Sequence, residues 1–183
     1  MGKFKFESTP ISDMFIVTNF FSGDERGSFS KIFNEDEFYF SPMPQFEIKE
    51  TLVSISQKGV IRGLHFQLPY QAKLVSCIKG EIWDVGVDLR KNSPTYGQYY
   101  GTILSEVNHK SLFIPKGFAH GYSSIKDSIV IYQCDEIFNA QTDGGINYLD
   151  PTIKVNWVLP NNKTLSDVIV SNKDNHLPFL QVI

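Results

Sequence analysis

An all-β sandwich or barrel is the fold class this sequence predicts, on three observations. Short β-branched and aromatic runs recur at steady intervals, turns bearing Gly, Pro and Asn separate them, and no long amphipathic helix interrupts them. Period-2 alternation is cleanest at residues 81–89. Trp83, Val85, Val87 and Leu89 share one face there, and Ile82, Asp84, Gly86 and Asp88 share the other. No linker, low-complexity tract or repeat divides the chain, so residues 1–183 are expected to form a single domain.

Taken in order, residues 1–22 alternate loosely and supply one or two strands. Asp24, Glu25, Arg26 and Gly27 form a turn, and SFSKIF returns as a strand. Residues 34–45 are the best place for a short helix, broken by Pro42 and Pro44. Strands follow at 46–56 and 59–67, and another at 72–78 after the Leu68-Pro69-Tyr70-Gln71 loop. Strict alternation puts Gly63, His65 and Gln67 on one face of their strand, with Arg62, Leu64 and Phe66 opposite. Beyond the turn at 91–94, residues 97–104 read as a strand, and 112–115 and 118–124 flank a Lys116-Gly117 turn. Residues 128–134 place Tyr132 on the face of Val130 and Cys134; after Phe138 the chain is turn-rich and ends in a mixed tail.

A formal charge of −3 and a pI near 5.8 give no electrostatic footprint for nucleic acid. No Lys/Arg cluster suggests a membrane surface, and no apolar run approaches the ~18 residues that span a bilayer. The N-terminal MGKFKFESTP lacks the apolar stretch of a signal peptide. Cys77 and Cys134 sit in strand-like runs, which suggests reduced core thiols in a cytoplasmic protein, with one disulfide as the alternative.

Of the four histidines, His109 and His176 look like exposed loop residues, whereas His65 and His120 sit in the glycine-bearing segments RGLHFQ and PKGFAHGY. A metal site on a β-barrel needs more ligands than these two imidazoles. Gln67 stands where a second histidine of a His-x-His pair would be, so metal binding is disfavoured on ligand count. The other chemistry open to these residues is proton transfer at carbon. A histidine backed by a carboxylate can act as base, Lys73 can steady an enolate oxygen, and Tyr132 can donate from the opposite side. From spacing alone, Tyr132 also fits as a core aromatic with a satisfied hydroxyl.

An ordered set of segments covers nearly the whole chain: the D-x-R-G-x-F turn (Asp24, Arg26, Gly27, Phe29), GVIRGLHFQ, QAKLVSCIKGEIWDVGVDLRKNSPTYG, IPKGFAHGY, IYQCDEIFN, LDP and SNKDN. In these the sequence resembles the dTDP-4-dehydrorhamnose 3,5-epimerase family of cupin-fold sugar-nucleotide epimerases. The resemblance implies a jelly-roll barrel with no metal or organic cofactor, usually a homodimer exchanging N-terminal strand contacts. It implies a nucleoside-diphosphate 4-keto-6-deoxy sugar as substrate, epimerised at C3, C5 or both through an enolate, for surface polysaccharide. By the same resemblance His65 is the base, Asp174 its carboxylate partner, Lys73 the neighbour of the C4 oxygen and Tyr132 the acid. His120 is a second active-site histidine oriented by Asp84, and Arg62 and Arg26 hold the diphosphate and nearby groups, which suits bidentate guanidinium contacts. Gln67 is implied in the substrate site, and Phe29 and Phe138 in stacking near the nucleotide base.

Four positions depart from the family pattern. Phe138 replaces a tyrosine, Lys31 a glutamate, and Glu50 and Leu52 stand where glutamine and asparagine are common. These departures gather at the nucleotide end and suggest a base other than thymidine, or a sugar of different size. A sugar-nucleotide ketoisomerase and a non-catalytic sugar-nucleotide-binding cupin are the alternatives.

Overall fold

The computed structural model describes residues 3–180; residues 1–2 and 181–183, at the ends of the expected domain, lie outside it. The chain runs β1 (Lys5–Ser8), β2 (Phe15–Thr18), β3 (Phe20–Asp24), β4 (Gly27–Lys31), α1 (Glu35–Tyr39), β5 (Glu50–Ser56), β6 (Ile61–Phe66) and β7 (Lys73–Lys79). It continues through β8 (Glu81–Asp88), β9 (Tyr99–Ser105), β10 (Lys110–Ile114), β11 (Phe118–Ser124), β12 (Ser128–Cys134), β13 (Gly144–Gly145) and α2 (Asn172–Asn175). One sheet has the order β1-β2-β10-β7-β12-β5, the other β13-β6-β11-β8-β9, and β3 and β4 pair only with each other. The two large sheets, with their long crossovers, form the expected jelly roll.

Between the sheets, Val75, Cys77, Ile82, Leu104, Leu112, Ile114, Tyr122 and Val130 pack into one cluster, against which Tyr132 leans. Both outer faces are partly covered as well. Phe4, Phe38 and Met43 lie over Val17, Leu74 and Phe113, while Ile146, Tyr148, Ile153 and Trp157 lie over Leu64, Val85 and Val87. The alternation at β8 therefore does not separate a wet face from a dry one: Val85 and Val87 go under the C-terminal loops, and Asp84 goes inward, fully buried. Both cysteines are free and buried.

The expected helix forms as α1, with Asn34 as N-cap accepting from the Glu37 N–H at 2.9 Å and three acids in its first turn. It stops at Tyr39, before Pro42. His109 is half-buried rather than exposed, its ring stacked on Phe21 with centroids 3.7 Å apart.

One local irregularity positions the site. Along β6 and β11, His65 opposes His120 and Arg62 opposes Tyr122, so two residues of β6 face the single Gly121. This bulge cancels strict alternation and brings Arg62 to the same cavity as His65, correcting the sequence expectation that they lie on opposite faces. Gly63 permits it: its φ is +107°, and a Cβ there would sit 2.6 Å from the His120 carbonyl oxygen.

Candidate active site

A cavity of about 360 Å³ is lined by strands of both large sheets and is large enough for a small-molecule ligand. Strand β6 gives it Arg62 and His65, β7 gives Lys73, β11 gives His120, and β12 gives Tyr132 and Cys134. Leu52 and Phe138 lie at its edge with Gln67, Gln71 and Asp143.

Two histidine–aspartate pairs stand side by side. Asp174 belongs to α2, where Ser171 caps the helix by accepting the Asp174 N–H at 3.0 Å. Its carboxylate accepts the Gly63 N–H at 3.0 Å and lies 2.8 Å from His65 Nε2. Burial acts to raise the Asp174 pKa, but the bonds from His65, Gly63 and Ser171 outweigh it and hold the group below the usual carboxylate range. The ionised carboxylate thus accepts a hydrogen bond from Nε2–H, which leaves Nδ1 of His65 as the unprotonated nitrogen. His120 Nε2 lies 2.7 Å from Asp84 Oδ1, and burial pushes the His120 imidazole toward its neutral form despite Asp84. The pairs differ in access: the His65 side chain is 30% exposed and that of His120 only 6%. Both rings line the cavity, and His65 is the more open of the two to solvent.

Lys73 and Tyr132 line the other sheet's side of the same cavity. Burial lowers the Lys73 pKa, partly offset by Cys134, Asp143 and Asp84. Burial raises the Tyr132 phenol well above its ordinary value, keeping it protonated. Among the described residues, no group of three or more His, Cys, Asp or Glu side chains is arranged to hold a metal ion.

A family model described as dTDP-4-dehydrorhamnose 3,5-epimerase matches residues 8–181. The chain belongs to the dTDP-4-dehydrorhamnose 3,5-epimerase family. It is 41% identical over 178 residues to the dTDP-4-dehydrorhamnose 3,5-epimerase of Methanothermobacter thermautotrophicus, covering 96% of this chain and 94% of that one. Among solved structures, it superposes with a TM-score of 0.88 on dTDP-6-deoxy-D-glucose-3,5-epimerase from Legionella pneumophila in complex with dTDP-4-keto-L-rhamnose. That pair is 35% identical, covering 98% and 100% of the two chains. The Bacillus anthracis dTDP-4-dehydrorhamnose 3,5-epimerase with TDP and PPi bound gives 0.88 at 37% identity, covering 97% and 99%. Membership in this epimerase family makes the chain an isomerase.

Not every sequence-predicted site residue reaches the cavity. Arg26 and Phe29 sit on the projecting β3–β4 arm, with the Arg26 side chain 84% exposed and Phe29 65% exposed, away from their own chain's cavity. Gln67 is at the wall, but its amide is spent on the loop beyond β12, donating to the Ile137 carbonyl and accepting the Asn139 N–H. Glu50 accepts the Phe138 N–H at 2.8 Å, and Lys31 pairs with Glu37 at 2.5 Å in its own chain. Those two departures from the epimerase pattern therefore have local partners, and only Leu52 and Phe138 border the cavity.

Sequence reading missed two groups. Asp143 lines the cavity and pairs with Lys173, the neighbour of Asp174, fastening the 139–145 loop to α2. Ser54, Ser56 and Tyr122 form hydrogen bonds running on from Tyr132, and Ser54 and Tyr122 also line the cavity. The strand alternation that put Ser54 and Ser56 on one face was the available signal for the second group; nothing in the sequence spacing pointed to the first.

Proposed function

We propose that this chain epimerises C3, C5 or both of a nucleoside-diphosphate 4-keto-6-deoxy sugar. The observation that carries the reading is a histidine–carboxylate pair facing a tyrosine from the opposite sheet across one cavity, with a lysine beside them. A C4 ketone acidifies the adjacent C–H bonds. His65 Nδ1 takes the proton, the electron pair moves onto the C4 oxygen near the Lys73 ammonium, and Asp174 stabilises the imidazolium. Tyr132 then gives its proton to the other face of the same carbon as the ketone re-forms. Electrons return to carbon, and nothing is oxidised or reduced. His120, its Nε2–H held by Asp84, presents Nδ1 as an acceptor for a sugar hydroxyl, and Arg62 engages the diphosphate.

The partner in this reading is a second copy of the chain. The arm carrying Arg26 and Phe29 projects from the body, and Val53 and Ile55 are exposed on the edge strand β5, an unpaired apolar border suited to a homodimer. Mixing Arg26→Ala with His65→Asn protein tests arm exchange, since each heterodimer would regain one intact site. No recovered activity would refute it. Leu52 and Phe138 offer apolar surface without base-edge hydrogen bonds, so thymidine, guanosine and cytidine diphosphates are expected to bind with little discrimination. A wide preference for thymidine diphosphate would overturn that expectation. Residues 1–183 act as one cytoplasmic epimerase domain, supplying deoxysugars for surface polysaccharide.

The deciding experiment is incubation with dTDP-4-keto-6-deoxyglucose in heavy water, with the exchanged positions located by NMR. Deuterium at C3 alone means a 3-epimerase, and at C3 and C5 a double epimerase. No exchange with any nucleotide or sugar tried would refute the catalytic reading in favour of a binding module.

A further inference from the structure

Tyr132 does not meet the cavity alone. Its phenol oxygen lies 3.2 Å from Ser54 Oγ, which lies 2.8 Å from Tyr122 Oη, itself 2.8 Å from Ser56 Oγ. Ser56 Oγ accepts a hydrogen bond from Arg62 Nε at 2.9 Å. Tyr122 is fully buried between the sheets, so its hydroxyl has protein partners in place of water. The line therefore runs from a guanidinium at the cavity rim, through three hydroxyls of β5 and β11, to the tyrosine of β12.

Donor chemistry fixes its first link, and one order of the rest frees the Tyr132 proton. A guanidinium donates and never accepts, so Ser56 must accept from Arg62. Ser56 can then donate to Tyr122, Tyr122 to Ser54, and Ser54 to Tyr132. In that order every intermediate hydroxyl accepts one hydrogen bond and donates one, and the Tyr132 proton is left over, free to point into the cavity. Each hydroxyl has one proton and two lone pairs, so in the reverse order Ser56 would accept from both Arg62 and Tyr122, and Tyr132 would spend its proton on Ser54. The forward order is the one that leaves that proton for the cavity. Aligned hydroxyls polarise one another, and the effect is largest where water is excluded.

We propose that Ser54, Tyr122 and Ser56, oriented by Arg62, are positioning residues that aim the Tyr132 proton at the substrate carbon and steady the phenolate formed when it leaves. The proposal rests on Tyr132 being the acid of the epimerase reaction. In the step, the Tyr132 O–H bond breaks, a C–H bond forms, and the electron pair stays on the phenol oxygen beneath the Ser54 hydroxyl. Water entering the open cavity reprotonates the phenolate between turnovers. Burial and the direct neighbourhood of Tyr122 oppose charge on Tyr132, and the Ser54 hydrogen bond acts in the other direction.

The test separates proton removal from proton delivery. In heavy water, His65 can remove a substrate hydrogen and return deuterium to the same face, giving exchange without inversion; inversion needs Tyr132. Tyr122→Phe removes the central hydroxyl and keeps the ring. With dTDP-4-keto-6-deoxyglucose as probe, it should slow inversion by about tenfold, the worth of one hydrogen bond to a developing charge, and leave exchange within about twofold of wild type. Ser54→Ala should do the same, and Ser54→Thr should restore inversion. Wild-type inversion in Tyr122→Phe and Ser54→Ala would overturn the proposal, as would equal loss of exchange and inversion. Full inversion by Tyr132→Phe would instead remove the parent assignment of Tyr132 as acid, and the proposal with it.

Discussion

Replacing Asp174 with asparagine changes few atoms and should cost the enzyme most of its rate. The carboxylate is buried and accepts two bonds, from the Gly63 N–H at 3.0 Å and from His65 Nε2 at 2.8 Å. Asparagine keeps one acceptor for Gly63 and turns an NH₂ donor toward Nε2. To avoid two facing donors, His65 must move its proton to Nδ1, the nitrogen that the proposed mechanism uses as base. A wrong-tautomer histidine of this kind costs about 10³–10⁴-fold in kcat. Asp174 is not among the cavity-lining residues, so KM should change by less than about threefold. The stability cost should be small, about 1 kcal/mol, because losing a charged hydrogen bond is partly offset by no longer burying a charge. The acid limb of stability should change as well. A carboxylate held below its ordinary pKa contributes stability above its unfolded pKa and loses it as pH falls through the folded value, and asparagine has no such limb. The assay is NMR-detected deuterium exchange, with kcat and KM from epimer formation and stability from denaturant midpoints at several pH values. A variant within tenfold of wild-type kcat would refute the tautomer argument.

Four further outcomes are expected. Tyr132→Phe should abolish inversion while exchange on the histidine face continues; retained carbonyl movement with lost inversion would favour a ketoisomerase. Asp143→Asn, releasing Lys173, should lower kcat/KM by about threefold and stability by less than about 1 kcal/mol, measured by steady-state kinetics and thermal melts. Gly63→Ala should destabilise by about 3–5 kcal/mol in urea titrations, because the added Cβ meets the His120 backbone and φ is +107°. Asp88 is buried, and although burial alone would raise its pKa, bonds from Arg90, Ser93 and Thr95 bring it from 3.8 to about 2. Its contribution of about 2 kcal/mol should be present above pH ~4 and disappear as pH falls toward 2, and Asp88→Asn should flatten that part of the acid-unfolding curve.

The strands were legible because most of them punctuate themselves with Gly, Pro and Asn, and the α1 helix because its proline stop is local. Residues 128–134 gave the correct face for Tyr132, since β12 keeps its period around that residue. The period failed at Arg62 because a bulge adds a residue that no alternation count can see; it depends on Gly63 meeting the backbone of β11. Asp174 was nameable only by family resemblance. Its partner His65 lies 109 positions away, and the short α2 that buries it has no hydrophobic period to betray it. Burial on both faces of β8 was hidden for a related reason: the cover comes from irregular C-terminal loops, not from an element with a sequence signature.

His65 stands on one sheet of the sandwich and Lys73 and Tyr132 on the other, so the side chains between the sheets set the distance between the proposed base and the proposed acid. The apolar filling of Val75, Leu104, Leu112 and Val130 is therefore also the spacer of the catalytic gap. A methylene added or removed there changes that gap as well as the folding free energy. Conservative repacking far from any polar group should accordingly register in turnover before it registers in the melting curve, making the rate a ruler for the thickness of the sandwich.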